Sequence, residues 1–198
     1  MSRYSGPDPY VDPASGVLRN RFGITDQAVL ESTEADLVAS RSRELASNPI
    51  QGGFDLKHLQ AIHRYLFGDV YDWAGQLRTV DISKNGNLFA HQAYIAGAAE
   101  AIFQALAKEN RLLGLAKTTF SARAAYFMSE MNALHPFREG NGRTQREFIS
   151  HLSLANGYYI AWEQVSASDS LLASMEAFQG KLAKLTAIIQ ANIEPLAR

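Results

Sequence analysis

The stretch "HPFREGNGRTQREF", residues 135–148, places a histidine and a glutamate around Gly-Asn-Gly and follows them with two arginines three residues apart. The segments on either side have helical spacing. Phe120, Ala124, Phe127, Met131 and Leu134 recur at intervals of three and four before it, and Phe148, Leu152 and Ala155 do so after it. A helix ending near Leu134 and another starting near Asn141 or Gly142 leave a short loop between them. The first backbone N–H groups of the new helix have no intrahelical partner, and its dipole adds partial positive charge there. Such a place accepts an anion, and glycine lets the anion approach the backbone closely. Gly140, Asn141 and Gly142 therefore read as a phosphate cradle.

Arg143 and Arg146 are three apart, so they share a helix face and can grip a ligand with several phosphates. Glu139 beside such a ligand would be repelled unless a divalent cation lay between them. Mg²⁺ suits that position, since it takes one or two carboxylates together with phosphate oxygens and water. His135, four residues before Glu139, titrates near neutrality and can accept a proton from an attacking hydroxyl. Base, cation, anion hole and charge clamps are the parts of a phosphoryl or nucleotidyl transfer site. Taken singly, each residue has an ordinary structural explanation, and it is their density in one window that points to a site.

The rest of the composition narrows the setting. A chain of 198 residues holds one domain with a sizeable core. The net charge is -1, so no basic excess points to nucleic acid or an anionic membrane surface. There is no cysteine, which excludes disulfides and thiolate metal sites and fits a reducing cytoplasm. The first residues, "MSRYSGPDPYVDPASG", lack the apolar run of a signal peptide, and no apolar stretch approaches the ~20 residues that span a bilayer. A cytoplasmic protein is expected.

Residues 1–24 are rich in Pro, Gly and Asp and read as an irregular arm, with residues 25–198 forming a single domain. A first helix is expected from about Thr25 to Ser47, broken at "NPIQGG", and Asp55 caps a second, with Leu56, Leu59, Ile62, Leu66 and Phe67 on its buried face. "TVDISKNGNLFA" then changes texture. Asn-Gly between β-branched residues and Leu88-Phe89 signals a hairpin, roughly residues 78–91. Helical spacing resumes at Ile95, Ala99, Ile102 and Leu106, and Asn156-Gly157 forms a C-cap. Residues 168–193 make one or two closing helices interrupted near Gly180. The expected fold is all-α with one hairpin. His58 and His63, five apart, do not share a helix face and are expected to be partly buried structural residues. His91 and His151 show no partner, and Trp162 is expected in the core.

"HPFREGNGRTQR", residues 135–146, resembles the signature of the Fic family, His-Pro-Phe-x-(Asp/Glu)-Gly-Asn-Gly-Arg-x-x-Arg, at every specified position. "VYDWAGQLRTVDI" is similar to the segment leading into that family's flap hairpin. The likeness extends over most of the chain and is closest to the compact bacterial Fic toxins of toxin–antitoxin modules. It implies a helical-bundle core with a small hairpin flap over the active site, and transfer of AMP from ATP to a hydroxyl side chain of a target protein. It also implies roles: His135 as general base, Glu139 as the Mg²⁺ carboxylate, and Gly140, Asn141 and Gly142 as the anion hole. Arg143 would hold the β-phosphate region, Arg146 the γ-phosphate, and Phe137 would anchor the loop in the core. In the flap, which registers the target by strand-like pairing, Ser83 and Lys84 are candidates for nucleotide or target contacts.

Many Fic proteins silence themselves with a helix carrying (Ser/Thr)-x-x-x-Glu-(Gly/Asn). Glu109-Asn110 has the right ending, but Ala105 stands at the Ser/Thr position. The resemblance then implies a separate small antitoxin that supplies the inhibitory helix. It also implies targets such as the ATPase subunits of gyrase and topoisomerase IV. Two alternatives belong beside this reading. One is a Fic enzyme with another transfer (phosphorylation, UMP or phosphocholine transfer, or removal of AMP). The other is a nucleotide-binding regulator without catalysis. The intact glycines and His135 favour AMP transfer.

Overall fold

A computed structural model describes residues 8–84 and 87–196, without the side chains of Lys84 and Asn87. The chain forms α1 (Gln27–Ser47), α2 (Leu56–Phe67), β1 (Ser83–Lys84), β2 (Asn87–Leu88), α3 (Ile95–Lys108), α4 (Lys117–Leu134), α5 (Asn141–Ala155), β3 (Tyr158–Ile160), α6 (Ala167–Phe178), α7 (Ala183–Asn192) and β4 (Ile193–Pro195). The all-α reading with a hairpin holds. Among the described residues no helix is long and apolar enough to cross a membrane.

Helix α4 is the centre. It packs against α3, α5, α6 and α7, and buries Phe120, Ala124, Phe127, Met131 and Leu134. Ser121, Ala125, Met128 and Ser129 are buried as well, so it is enclosed on several faces, as a central helix must be. Helix α2 lies against α5 and α1 through Leu59, Ile62, Leu66 and Phe67. Helix starts follow local chemistry: Asp26 accepts the Val29 N–H, Asp55 the His58 N–H and Ser166 the Asp169 N–H. Gly157 and Gly180, both at positive φ, lie just beyond the ends of α5 and α6.

Two features differ from the sequence reading. The hairpin ladder is short: Ser83 pairs with Leu88 and Lys84 with Asn87, and the Asn85-Gly86 turn lies outside the described residues. A second antiparallel pair joins β3 to β4, with Ile160 opposite Ile193. Its strands are separated in sequence by α6 and α7, so no turn signal announces their pairing.

Residues 8–24 pack on the domain. Tyr10 is buried, its hydroxyl accepts the Thr79 N–H at 3.1 Å, and Asp8 pairs with Arg138 at 2.9 Å.

Candidate active site

Between the flap, the 135–141 turn, α5 and α6 lies a cavity of about 690 Å³. Ser83, His135, Glu139, Asn141, Gly142 and Arg146 line it, so six of the residues singled out in the sequence meet there. The apolar and small residues of α6, among them Ser170, Leu171 and Phe178, form the facing wall.

Helix α4 ends at His135, which adopts a left-handed backbone conformation (φ 46°, ψ 62°). This is uncommon for a residue other than glycine. The ring Nδ1 lies 3.2 Å from the Asn132 carbonyl. A carbonyl can only accept, so in the neutral ring Nδ1 carries the proton and Nε2 keeps the lone pair a base needs. Phe89 stacks on the imidazole, with ring centres 3.7 Å apart at 17°.

The turn closes on itself. The Asn141 side chain accepts the Phe137 N–H at 2.9 Å and donates to the Phe137 carbonyl at 2.8 Å. Asn141 is buried, so its side chain shapes the loop and its backbone N–H is what it can offer an anion. Phe137 is buried as expected and stacks on His63 at 3.9 Å. The α5 N-terminus has no side-chain cap, which leaves first-turn N–H groups without a side-chain partner where Asn141 and Gly142 line the cavity. Gly140 and Gly142 serve different ends. Gly140 sits at φ 78°, and a Cβ there would overlap the Phe67 ring. Gly142 has open space where a Cβ would be, so its missing side chain keeps the cavity clear.

The two arginines diverge. Arg146 points into the cavity and makes a long contact, 3.4 Å, to Ser170 Oγ. Burial, and then the like charge of Arg143, push its pKa down, so an anion beside it would be welcome. Arg143 turns the other way: Nη2 meets the buried Glu34 carboxylate at 2.5 Å and the guanidinium lies over Phe67 at 4.8 Å. Tyr71 donates to the same carboxylate, and burial and that bond raise its pKa. Arg143 is outside the cavity lining, because residues three apart on a helix point some 60° apart and Glu34 of α1 takes the outer one.

Glu139 is half-exposed at the cavity edge; its Oε1 accepts the Gly140 N–H at 2.8 Å and lies 3.7 Å from Arg143. A single exposed carboxylate beside an anion hole is a donor set that fits Mg²⁺ carried mainly by phosphates and water. Ser83 reaches the cavity from β1. The backbone of Lys84 is in the strand, and its side chain lies outside the described residues.

Several residues here carry no local signal. His63 is buried, not partly buried: its Nδ1 accepts the Gly75 N–H at 2.7 Å, and Nε2 donates to the Glu139 carbonyl at 3.0 Å. Burial pushes its pKa down to about 4. His58 is also buried, with Nε2 3.3 Å from His151 Nδ1, and His151 Nε2 lies 3.4 Å from Glu147, so His151 has partners that its position in sequence does not reveal. His91 faces Asp81 at 3.2 Å. Trp162 packs against the core but also borders the cavity, its Nε1 donating to Ser150 at 2.9 Å. Phe89 and Gln145, on the cavity wall, and Arg78, behind it, are also tertiary findings.

Comparison with known proteins places the chain among Fic proteins. The model of the Fic/DOC family matches residues 53–153. Protein adenylyltransferase VbhT of Bartonella schoenbuchensis is 49% identical over 98% of the chain, which spans 41% of that longer protein. A probable protein adenylyltransferase Fic of Salmonella typhimurium is 40% identical over 95% of the chain and 93% of its own length. The crystal structure of an N-terminal Fic domain with bound ADP from Bartonella quintana superposes with a TM-score of 0.90 at 28% identity, covering 94% of this chain and 95% of that one. That of BepC with bound AMPPNP from Bartonella tribocorum also gives 0.90, at 25% identity over 95% of this chain and 97% of that one.

Proposed function

The chain belongs to the Fic/DOC family, and from that premise we propose that it is a protein adenylyltransferase, moving AMP from ATP to a hydroxyl side chain of a protein target. The observation that carries the reading is the meeting of a histidine Nε2 lone pair, an uncapped helix N-terminus and a partly buried arginine in one cavity. Relatives named as adenylyltransferases and Fic structures holding ADP and AMPPNP support it.

In this reading ATP lies with its phosphates at the α5 N-terminus. The N–H groups of Asn141 and Gly142 take the phosphate oxygens, and the space left by Gly142 admits them. Arg146 holds the γ-phosphate. Arg143, tied to Glu34, adds charge behind the first turn near the β-phosphate, and Gly140 gives the loop its path. Glu139 holds Mg²⁺, whose charge offsets that of the phosphate oxygens when it is bound. His135 Nε2 takes the proton of the target hydroxyl as its oxygen bonds to the α-phosphorus. The bond from that phosphorus to the bridging oxygen breaks, and pyrophosphate leaves with the electron pair. Ser83 and Lys84 on the flap contact the nucleotide or the target segment.

A toxin restrained by a small antitoxin is the biological setting we propose, acting in the cytoplasm on targets such as the ATPase subunits of gyrase and topoisomerase IV. The position of Arg146 supports restraint at this point. A carboxylate from a partner helix would occupy the place of the γ-phosphate, and in-line attack tolerates little misplacement of the triphosphate.

Incubation with ATP labelled at the α-phosphate and a bacterial lysate tests the activity. Protein-bound label is expected with the intact chain and at least a hundredfold less, about 10²–10⁴-fold, with His135→Ala. Label from the γ-phosphate would instead indicate phosphorylation, and bound nucleotide without transfer would indicate a regulator. Co-expression with a small helical partner carrying the inhibitory pattern should abolish labelling, and changing that partner's glutamate to glycine should restore it.

A further inference from the structure

The flap holds its place beside the cavity with very little ladder. Strands β1 and β2 pair at two positions, and the Phe89 N–H to Ile82 carbonyl bond, 3.4 Å, extends the ribbon by one more. A two-stranded ribbon of that length is marginal in water. Several of the bonds that fix its root come from Arg78, whose side chain is fully buried. Its Nε donates to the His135 carbonyl at 2.8 Å and its Nη1 to the Val80 carbonyl at 2.6 Å. Its Nη2 donates to the Ala90 carbonyl and, at 3.4 Å, to that of Leu134. The Arg78 backbone N–H donates to the Pro136 carbonyl at 2.9 Å.

Val80 and Ala90 are the two stems of the flap, while Leu134, His135 and Pro136 are the turn that presents the imidazole. One guanidinium therefore closes the root of the flap and holds the backbone of that turn. The left-handed residue His135 has its carbonyl fixed by this bond. The neighbour of Ala90 is Phe89, the residue stacked on the His135 ring. Arg78 thus fixes both the peptide that carries the ring and the segment that carries the ring's stacking partner. Asp81, 3.7 Å from Nη1, offsets part of its charge.

We propose that Arg78 is a positioning residue for the transfer reaction: it locks the flap stems and the His135 backbone in one register, which keeps the imidazole in its Nδ1–H form with Nε2 toward the cavity. The inference rests on His135 being the base. Arg78 lies outside the cavity lining and acts through His135. Lysine cannot replace it, because an ammonium is a point donor and cannot reach carbonyls on separate segments as a planar fork does.

The test uses the full chain with its histidine rings labelled with ¹⁵N, in wild type, Arg78→Lys and Arg78→Gln. Long-range ¹H–¹⁵N spectra report the tautomer and titration of each ring. In either variant the His135 ring should mix tautomers and shift its titration midpoint, while the buried His58, His63 and His151 keep wild-type signals. Transfer should fall on the order of 10²-fold, the cost of a small misplacement, with the affinity for Mg²⁺-ATP within about twofold of wild type. Arg78→Lys keeps the charge and carries the test if Arg78→Gln does not fold. An unchanged His135 ring and unchanged transfer in a folded variant would overturn the proposal. So would equal perturbation of all the buried histidines, or failure of both variants to fold, since each makes Arg78 a general core residue. Loss of the base reading shows separately, as transfer that survives His135→Ala while the spectra still report whether Arg78 holds the ring.

Discussion

Residues 135–141 and residues 78–91 border the same cavity, and both reverse the chain, but the first has tight bonds of its own across four residues besides its anchors at Arg78 and His63, while the second has little ladder of its own and depends on bonds that reach farther along the chain. In the turn, Asn141 bonds both backbone groups of Phe137, four residues away, and Gly140 supplies the left-handed step. In the flap, two ladder pairs are supplemented by Arg78, by the Ala90 N–H to the Ala133 carbonyl at 3.2 Å, and by the Asp81 carboxylate on the Gln92 N–H at 2.7 Å. A loop made of short-range bonds is specified wherever its motif occurs. A loop made of long-range bonds exists only after the domain has packed.

The sharpest way to set the two apart is to remove the chemistry and keep the frame. His135→Ala should lower AMP transfer by about 10²–10⁴-fold, the usual contribution of a general base, while leaving Mg²⁺-ATP affinity by calorimetry unchanged. Wild-type transfer would remove His135 from the mechanism.

The next effect concerns the turn's geometry. Gly140→Ala places a side chain at positive φ against Phe67 and should cost about 2–4 kcal/mol of stability, from strain and overpacking together, read by chemical denaturation. Gly142→Ala meets open space and should fold normally, with its loss in nucleotide affinity. If both variants lose stability alike, the separation of the two glycines into packing and ligand roles is wrong.

Acid should weaken the turn's support. His63 titrates at 6.5 unfolded and about 4 folded, so above pH 6.5 neither state is protonated and its neutral bonds to Gly75 and Glu139 are free of any penalty. Between pH 6.5 and about 4 the unfolded chain takes up a proton that the folded one refuses, and about 3 kcal/mol of stability is lost across that window. His58, lowered by burial and then by His151, acts in the same direction. Denaturation midpoints measured from pH 7 to 4 should fall, and His63→Asn should flatten the slope; an equal slope in the variant would place the effect elsewhere.

The smallest expected effect is on the flap side. Phe89→Leu removes a ring stack of about 0.5–1.5 kcal/mol, so transfer should drop by roughly two- to tenfold without loss of fold. A loss as large as that of His135→Ala would mean that Phe89 does more than steady the ring.

Much of this was legible in the chain. Helix spacing, Asp55 as a cap, and the breaks at Gly157 and Gly180 are local properties, and the structure keeps them. So is the cluster of His135, Glu139, Asn141, Gly142 and Arg146, because a helix end, a tight turn and a helix start within twelve residues bring their groups together whatever surrounds them. The pairing of β3 with β4, the His58–His151 contact, the capture of Arg143 by Glu34 and the grip of Arg78 join residues far apart in the sequence. No local propensity encodes them. The helices, the loop and the kind of chemistry the loop can do follow from local sequence. Which arginine faces the cavity and which is held behind it is a tertiary outcome, since the buried carboxylate of Glu34 on α1 attracts the Arg143 guanidinium and the two meet only once α2 has packed against both α1 and α5.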